Sequence, residues 1–508
     1  MHRTHLRGIQ FRGIPSSVSL REVLPKARFL SGDDIQASSC SADWRACQTG
    51  DLFVALTTAD DDGHEHAREA IDRGAQAVIA ERLVPVEVPQ ILVKDSRVAL
   101  GRVCQALAGN PSQQLRTIGI TGSAGKTVTA MLVASIFEAA GQAAGVVSSI
   151  GHSDSITQQA AIGETPTTAE FASWLARMQI AGCQSAVLEL SSTALAERRT
   201  SGIKLDAAIL TNIQNVPLQE HNRAAAYQQI NRRIFRMLKA DGTAIVNVDD
   251  HRCRIAAADM DGPCLTYGLH AEADVTANIL ERCISEQTFL LSVGDDAAPV
   301  RTRIIGDQHV SNCLAAAAAG LAAGIELESI VRGLEAVDRV PGRMERLECG
   351  QPFGVFVDVA DSPERLTRAI KTVRQVTRGR VYVVFGPGAQ TDGPQRALLG
   401  RVLERGAQLP IITSNEFGQG RSLKTSHDVL DGFERPAKAQ VIPNREKAIQ
   451  FALSQASEGD AVLIAGRGDR ITHLVRGNRE YDDREVACEW LYRQDEPAIT
   501  KPRFRVVG

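Results

Sequence analysis

The residues with the plainest chemical purpose run from Thr117 to Thr129, Thr-Ile-Gly-Ile-Thr-Gly-Ser-Ala-Gly-Lys-Thr-Val-Thr. An apolar strand breaks there into small residues and then into a helix. Gly122, Ser123, Ala124 and Gly125 let backbone N–H groups close on phosphate oxygens, and the helix opening at Lys126 turns the positive end of its dipole toward them. Lys126 is expected to neutralise the β and γ phosphates of a nucleoside triphosphate, and the Thr127 hydroxyl to ligate Mg²⁺. The strict G-x-x-x-x-G-K-[ST] spacing is not met, because Ile120 stands at its first glycine. Met131, Leu132, Ile136 and Phe137 recur at helical spacing behind the loop, which is the setting the chemistry needs. The competing explanation is an ordinary strand-to-helix turn with a solvated lysine.

A second group follows the apolar run Ala186-Val-Leu-Glu-Leu190. A carboxylate such as Glu189 at the end of a buried strand costs desolvation energy unless it pairs or meets a metal. Beside a phosphate loop it is a candidate Mg²⁺ ligand, directly or through water, although a neighbouring helix N-terminus would satisfy it too. Asn247-Val-Asp-Asp250 closes another strand, and either turn chemistry or a place in the nucleotide site accounts for it.

The elements that must position these groups read as α/β. A chain of 508 residues is too long for one core and implies two to four domains. Hydrophobic content of 44% with only 4% aromatics is typical of an α/β enzyme. A net charge of -3 provides no general field for nucleic acid, so anionic substrates must be met by local sites. The ten cysteines form no C-x-x-C pair, no apolar run approaches membrane-spanning length, and the basic start lacks a signal peptide's apolar core. A soluble protein of the reducing cytoplasm is expected, with no membrane insertion and no nucleic-acid partner.

Residues 1–113 are expected to form a first domain, with strands in Asp51-Leu-Phe-Val-Ala-Leu56 and Ala77-Val-Ile-Ala80 and a linker at Gly109-Asn-Pro-Ser112. Residues 114–340 form a central domain with a mainly parallel, doubly wound sheet, its clearest strands at 117–121, 185–190, 207–212 and 243–248. The Ala-rich run from Leu314 to Gly324 is a tightly packed helix of this domain. Residues 341–494 form a third, Rossmann-like α/β domain with strands at 355–359, 381–385, 411–413 and 461–465, and loops at the strand ends where open sheets bind ligands. Residues 495–508 are a polar tail.

In order along the chain, Asp51-Leu-Phe-Val-Ala, Asp62-Gly-His64, the phosphate loop, Thr167-Thr-Ala-Glu170, Leu188-Glu-Leu-Ser-Ser192, Thr211-Asn212, Asn247-Val-Asp-Asp250, Gly342-Arg-Met-Glu345 and Asp482-Asp-Arg-Glu-Val-Ala487 resemble the Mur ligases. The likeness spans about residues 18 to 492 and is greatest to members that add the third amino acid to UDP-N-acetylmuramoyl-L-alanyl-D-glutamate. It implies an N-terminal domain for the UDP end, a central ATPase domain, and a C-terminal domain that brings the amino acid. ATP would phosphorylate the peptide carboxylate to an acyl phosphate, which the amine of the amino acid attacks. By match of position, Gly122 to Val128 hold the phosphates, and Thr127 and Glu189 hold Mg²⁺. Asn312, Arg343 and Asp358 contact the nucleotide, and Thr167, Thr168, Ser192 and Arg199 contact the sugar-peptide.

The departures from the family fall on the chemistry. An Asp-His pair after Thr211-Asn212 is replaced by Val216-Pro217, and the lysine that is carbamoylated to hold a second Mg²⁺ is Asn231. Lys239 is expected two helical turns further on, about 12 Å away by helix rise. His221 is a weak substitute donor, and Thr193 stands where the family has histidine. Thr413-Ser-Asn-Glu-Phe-Gly418 lacks the arginine of the Asp-Asn-Pro-Arg motif that grips diaminopimelate, with Arg421 the next arginine. Gly-Lys-Gly-His-Glu reads Gly466-Arg-Gly-Asp-Arg470, the Gly-Gly-Asp-Arg-Asp-Lys loop reads Gly388-Ala-Gln-Thr-Asp-Gly393, Tyr-Ala-His reads Val359-Ala-Asp361, and Asp-Ser-Arg reads Asp43-Trp-Arg45. Three functions are compatible: an active muropeptide ligase, a catalytically impaired paralogue that binds nucleotide or UDP-muropeptide as a regulator or scaffold, and a ligase of another pathway such as glutamate addition to folate. Thr167, Thr168 and Arg199 argue against the last.

Overall fold

The computed structural model describes residues 5–7, 16–30, 33–161, 165–213, 221–258, 260–388, 391–415, 422–470, 472–474 and 479–495. Val216-Pro217, residues 416–421, Ala389-Gln390 and the tail beyond Asp495 lie outside them, as does the side chain of His221. The chain divides into two compact units, residues 1–277, 291–298 and 311–336 in one, and 278–290, 299–310 and 337–508 in the other.

The first unit holds two large sheets and a two-stranded one, Val18–Ser19 with Gln36–Ala37. One orders its strands His5–Arg7, Ser39–Ser41, Leu52–Val54, Ala77–Ala80, Gln90–Leu92 and Arg28–Phe29, with the three from Leu52 to Leu92 running parallel. Leu52, Val54, Ile79 and Ile91 bury one face of it under the helix Ser96–Leu107. Ala169, Ala172 and Ala176 of the helix Thr168–Ile180 join that same core, where their small side chains let that helix pack close.

The central sheet runs Ala144–Val147, Ser185–Glu189, Arg116–Thr121, Leu205–Leu210, Leu238–Asn247 and Cys264–Gly268, all parallel. The strands at its centre, Ala144–Val147, Ser185–Glu189, Arg116–Thr121 and Leu205–Leu210, are mostly apolar runs buried on both faces, as parallel sheets require. The phosphate-loop strand Arg116–Thr121 lies in the middle, and chain order reverses on either side of it. That is a switch point, where the strand C-termini leave a crevice. The helix Lys126–Ala139 is held from behind by Leu327–Glu335, where Gly333 comes so close that a Cβ would lie 2.7 Å from Ile136 N, and Ser135 Oγ donates to Gly333 O at 2.7 Å. The Ala-rich helix spans Asp307–Ala322, with Leu314 to Ala319 buried.

Lys239 is not helical. The helix His221–Arg232 gives way to a 3₁₀ turn, Arg233–Met237, and Lys239 lies in the strand Leu238–Asn247 with Nζ 2.8 Å from Asp206 Oδ2. Its charge is spent on a carboxylate that also accepts from Thr117 N at 2.7 Å. The hairpin Gly151–Ser153 with Gln158–Ala160, and the strands Val275–Arg282, Gln287–Val293 and Asp296–Thr302, are further elements without counterpart in the sequence reading.

The second unit centres on a sheet ordered Glu345–Arg346, Gly354–Asp358, Ala461–Ala465, Val381–Phe385, Leu409–Ile412 and Gln440–Val441. All neighbours after the first pair are parallel. The late strand Ala461–Ala465 is inserted between the two earliest parallel strands, which makes a second switch point at Asp358, Gly386 and Gly466. Helices Pro363–Val376, Gly393–Gly406 and Arg445–Gln455 cover its faces.

Candidate nucleotide and substrate site

The phosphate loop is held by its neighbours rather than by itself. Gly122 has φ +137°, and a Cβ on it would meet Asn212 O at 2.8 Å and overlap the Thr211 hydroxyl, so only glycine fits. Asn212 braces the loop with three bonds: its carbonyl accepts from Ser123 N at 2.9 Å, its Oδ1 from Ala124 N at 2.9 Å, and its Nδ2 donates to Ala124 O at 2.9 Å. Thr211 Oγ1 adds a fourth, to Ala124 O at 2.8 Å. Gly125, at φ +84°, caps the helix Lys126–Ala139 without a side chain, leaving the helix N-terminus to a ligand. Lys126 Nζ rests 2.9 Å from Gly122 O, folded over the loop. Val128 is buried on the same helix.

Glu189 ends its strand beside this loop. Its Oε2 accepts from Thr127 Oγ1 at 3.0 Å and from Ser149 N at 2.9 Å, and Thr127 Oγ1 lies 3.0 Å from Ser149 Oγ. A carboxylate and two hydroxyls at the mouth of a phosphate loop are hard oxygen donors, which suit Mg²⁺ completed by phosphates and water. No helix N-terminus satisfies Glu189 among the bonds seen here; a loop amide and a hydroxyl do. Ser149 was not anticipated. The only clue to it in the chain is its place two residues past the strand Ala144–Val147, at the same sheet edge as the loop.

The four residues matched to the sugar-peptide fall in one neighbourhood. Thr167 caps the helix Thr168–Ile180 in a reciprocal box with Glu170, which fixes Thr167 and Thr168 at a helix start. Arg199 reaches back to Thr165 O at 3.1 Å and Pro166 O at 3.4 Å, while Thr165 Oγ1 meets Ser191 Oγ at 2.9 Å. Ser191 caps the short helix that begins at Ser192, and Thr193 is exposed on it.

Asn247 to Asp250 proves to be turn and brace. Asn247 Nδ2 donates to Thr211 O at 2.8 Å, Asp249 accepts the amides of Leu269, His270 and Ala271, and Asp250 caps a helix while accepting Ile213 N at 3.0 Å. The group therefore fixes the 211–213 segment that in turn fixes the phosphate loop. Asn312 is buried on the helix Asp307–Ala322.

In the second unit, Asp358 Oδ2 accepts Met344 N at 2.7 Å and its Oδ1 accepts Ala360 N at 2.8 Å. Burial pushes its carboxyl above the usual range, against the pull of those amides. Arg343 Nη1 lies 2.7 Å from Asp469 Oδ1, both half-buried. Gly342, at φ +61°, touches Gly468 so closely that a Cβ would sit 2.7 Å from its Cα. Asn415 spends its amide on Gly386 O at 2.6 Å and Gly466 O at 3.3 Å, and its Oδ1 accepts from Arg445 at 2.9 Å. Arg445 is fully buried with Asp483 in a two-bond ion pair at 2.8 and 2.7 Å. Arg467 donates to Asn415 O at 3.2 Å and to Arg470 O at 3.0 Å. In the first domain Asp43 caps a 3₁₀ turn and Arg45 stacks 4.4 Å over Trp44.

Known proteins share this architecture. The Mur ligase middle domain model matches residues 120–320, and the model for the Mur ligase glutamate ligase domain matches 342–468. The UDP-N-acetylmuramoyl-L-alanyl-D-glutamate--2,6-diaminopimelate ligase of Geobacillus kaustophilus is 36% identical over 454 residues, 88% of this chain and 93% of its own. The UDP-N-acetylmuramyl-tripeptide synthetase of a Roseiflexus species is 35% identical over 450 residues, 84% of this chain and 88% of its own. A solved diaminopimelate ligase of the same kind superposes with TM-score 0.68 at 26% identity, covering 94% of this chain and 99% of its own. By sequence and by fold alike, the chain belongs to the Mur ligase family of ATP-dependent ligases.

Proposed function

We propose that this chain joins an amino acid to UDP-N-acetylmuramoyl-L-alanyl-D-glutamate in the cytoplasm, through an acyl phosphate formed with ATP and Mg²⁺. The observation that carries the reading is the braced loop Gly122–Gly125 with Thr127, Glu189 and Ser149 gathered at its mouth. Backbone amides and Lys126 bind and orient the triphosphate, and Thr127 and Glu189 hold the cation. The cation supplies charge neutralisation at the transferring phosphoryl group. Thr167, Thr168, Ser192 and Arg199 orient the sugar-peptide, so that two anions that repel one another are aligned. Asn312, Arg343 and Asp358 are further nucleotide contacts in this proposal. The relatives' names support a third-residue ligase; the incoming amino acid differs from diaminopimelate, since Asn415 is committed to backbone carbonyls and residues 413–418 carry no arginine.

A second reading, a binding paralogue without turnover, is favoured by one observation, the neutral and buried Asn231. ADP release by the purified chain, given ATP, Mg²⁺, the UDP-dipeptide and a panel of amino acids, decides between them, with Lys126→Ala as control. Turnover stimulated by one amino acid and lost in the control establishes the ligase. No turnover above the control, from folded protein, establishes the paralogue.

A further inference from the structure

The place where the family resemblance expects a carboxylated lysine is filled in an unexpected way. Asn231 is wholly buried. Its Oδ1 lies 3.0 Å from Thr121 Oγ1, and its Nδ2 donates to Tyr227 O, one helical turn back, at 2.8 Å. Thr121 is the last strand residue before Gly122, and its Oγ1 is also 2.9 Å from Leu190 O, the residue after Glu189. One hydroxyl proton thus lies between two acceptors and ties the loop strand, the Glu189 strand and the helix His221–Arg232 together. On the same helix the Tyr227 hydroxyl is 3.2 Å from Ser123 Oγ inside the loop.

We infer that Asn231 and Tyr227 form a neutral latch that positions the phosphate loop, and that the nucleotide site consequently works with a single divalent cation. The inference rests on the nucleotide reading above. Asparagine carries no amine that could be carbamylated, so position 231 supplies no anionic ligand for a second cation. The asparagine amide instead meets each neighbour with a matching donor or acceptor, and its oxygen is engaged. Among the described residues no three His, Cys, Asp or Glu side chains gather as a metal cluster. Among the described residues Glu189 and Thr127 are the cation position at the loop, and the rigidity that a second ion would bring to the loop comes from hydrogen bonds to helix His221–Arg232. Both are positioning residues, acting on phosphate through Thr121 and Ser123.

The test counts ions. Titrating Mn²⁺ into the full chain with a non-hydrolysable ATP analogue, read by electron paramagnetic resonance, is expected to show one tightly bound ion per bound nucleotide, unchanged by added bicarbonate. Two tight ions overturn the one-cation site while leaving the ligase reading intact; absence of nucleotide binding overturns both. Tyr227→Phe, which leaves the buried asparagine in place, is expected to weaken analogue binding about three- to tenfold with an unchanged thermal midpoint. Equal affinity in that variant overturns the latch.

Discussion

The two switch points of this molecule are built from different parts of the chain. At the phosphate loop, recognition is done by backbone groups that glycine geometry exposes, with Asn212 and Thr211 holding the backbone in place. At the strand ends of the second unit, side chains pair with one another and with main chain: Asn415 with two carbonyls, Arg445 with Asp483, Arg343 with Asp469. A site built from main chain tolerates little change because every substitution alters the shape of the loop. A site built from side chains changes its ligand one residue at a time and keeps its fold.

Ways to break that contrast differ in size. Lys126→Ala removes the loop's own cation and is expected to cut nucleotide turnover by about a thousandfold with an unchanged circular dichroism spectrum, since loss of a single transition-state donor costs roughly 10²–10³. Survival of turnover would mean that the loop is scaffold only. Arg445→Leu leaves Asp483 buried without its partner and should lower unfolding free energy by about 3–5 kcal/mol in a urea titration. A smaller loss would show that the second unit's inward pairs contribute packing alone.

Gly122→Ala and Gly342→Ala form a matched pair, one at each switch point, each at positive φ and each against backbone. Each should destabilise by about 1–3 kcal/mol, but only Gly122→Ala should also raise the dissociation constant for a nucleotide analogue measured on unit-one contacts such as quenching of a reporter at the loop. Equal effects on binding would erase the distinction between the regions.

The effect that is smallest within any one pH unit is a pH slope. Burial depresses the His309 pKa to about 3, so this ring stays neutral in the folded chain while the unfolded chain takes up a proton near 6.5. Stability is therefore complete above pH 6.5 and falls as pH drops toward 3, by up to about 1.4 kcal/mol per pH unit. His309→Asn should flatten that part of the unfolding profile without touching the phosphate loop, and an unaltered slope would refute it.

Much of this was legible in the chain because it is local. Strands such as Ala77–Ala80, Val381–Phe385 and Ala461–Ala465 are unbroken apolar runs, and the phosphate loop announces itself by its small residues. What stayed hidden depends on partners distant in sequence. Asn231 reads as a loss until Thr121 is seen 110 residues away, and Ser149 has no motif of its own. Lys239 misleads because the nearest turn signal, Asp241-Gly242, comes after it, whereas the helix has already ended at Arg232. The strand Gln287–Val293 alternates buried and half-buried positions, a weaker signal than a parallel strand buried on both faces.

The clamp of Leu327–Glu335 on the back of Lys126–Ala139 has a consequence in time. During synthesis the loop's own residues leave the ribosome about 200 residues before Gly333 does, which at roughly 5–20 residues per second is a delay of about 10–40 s. Until then the surface of that helix around Ser135 and Ile136 lacks the cover that Leu327–Glu335 gives it.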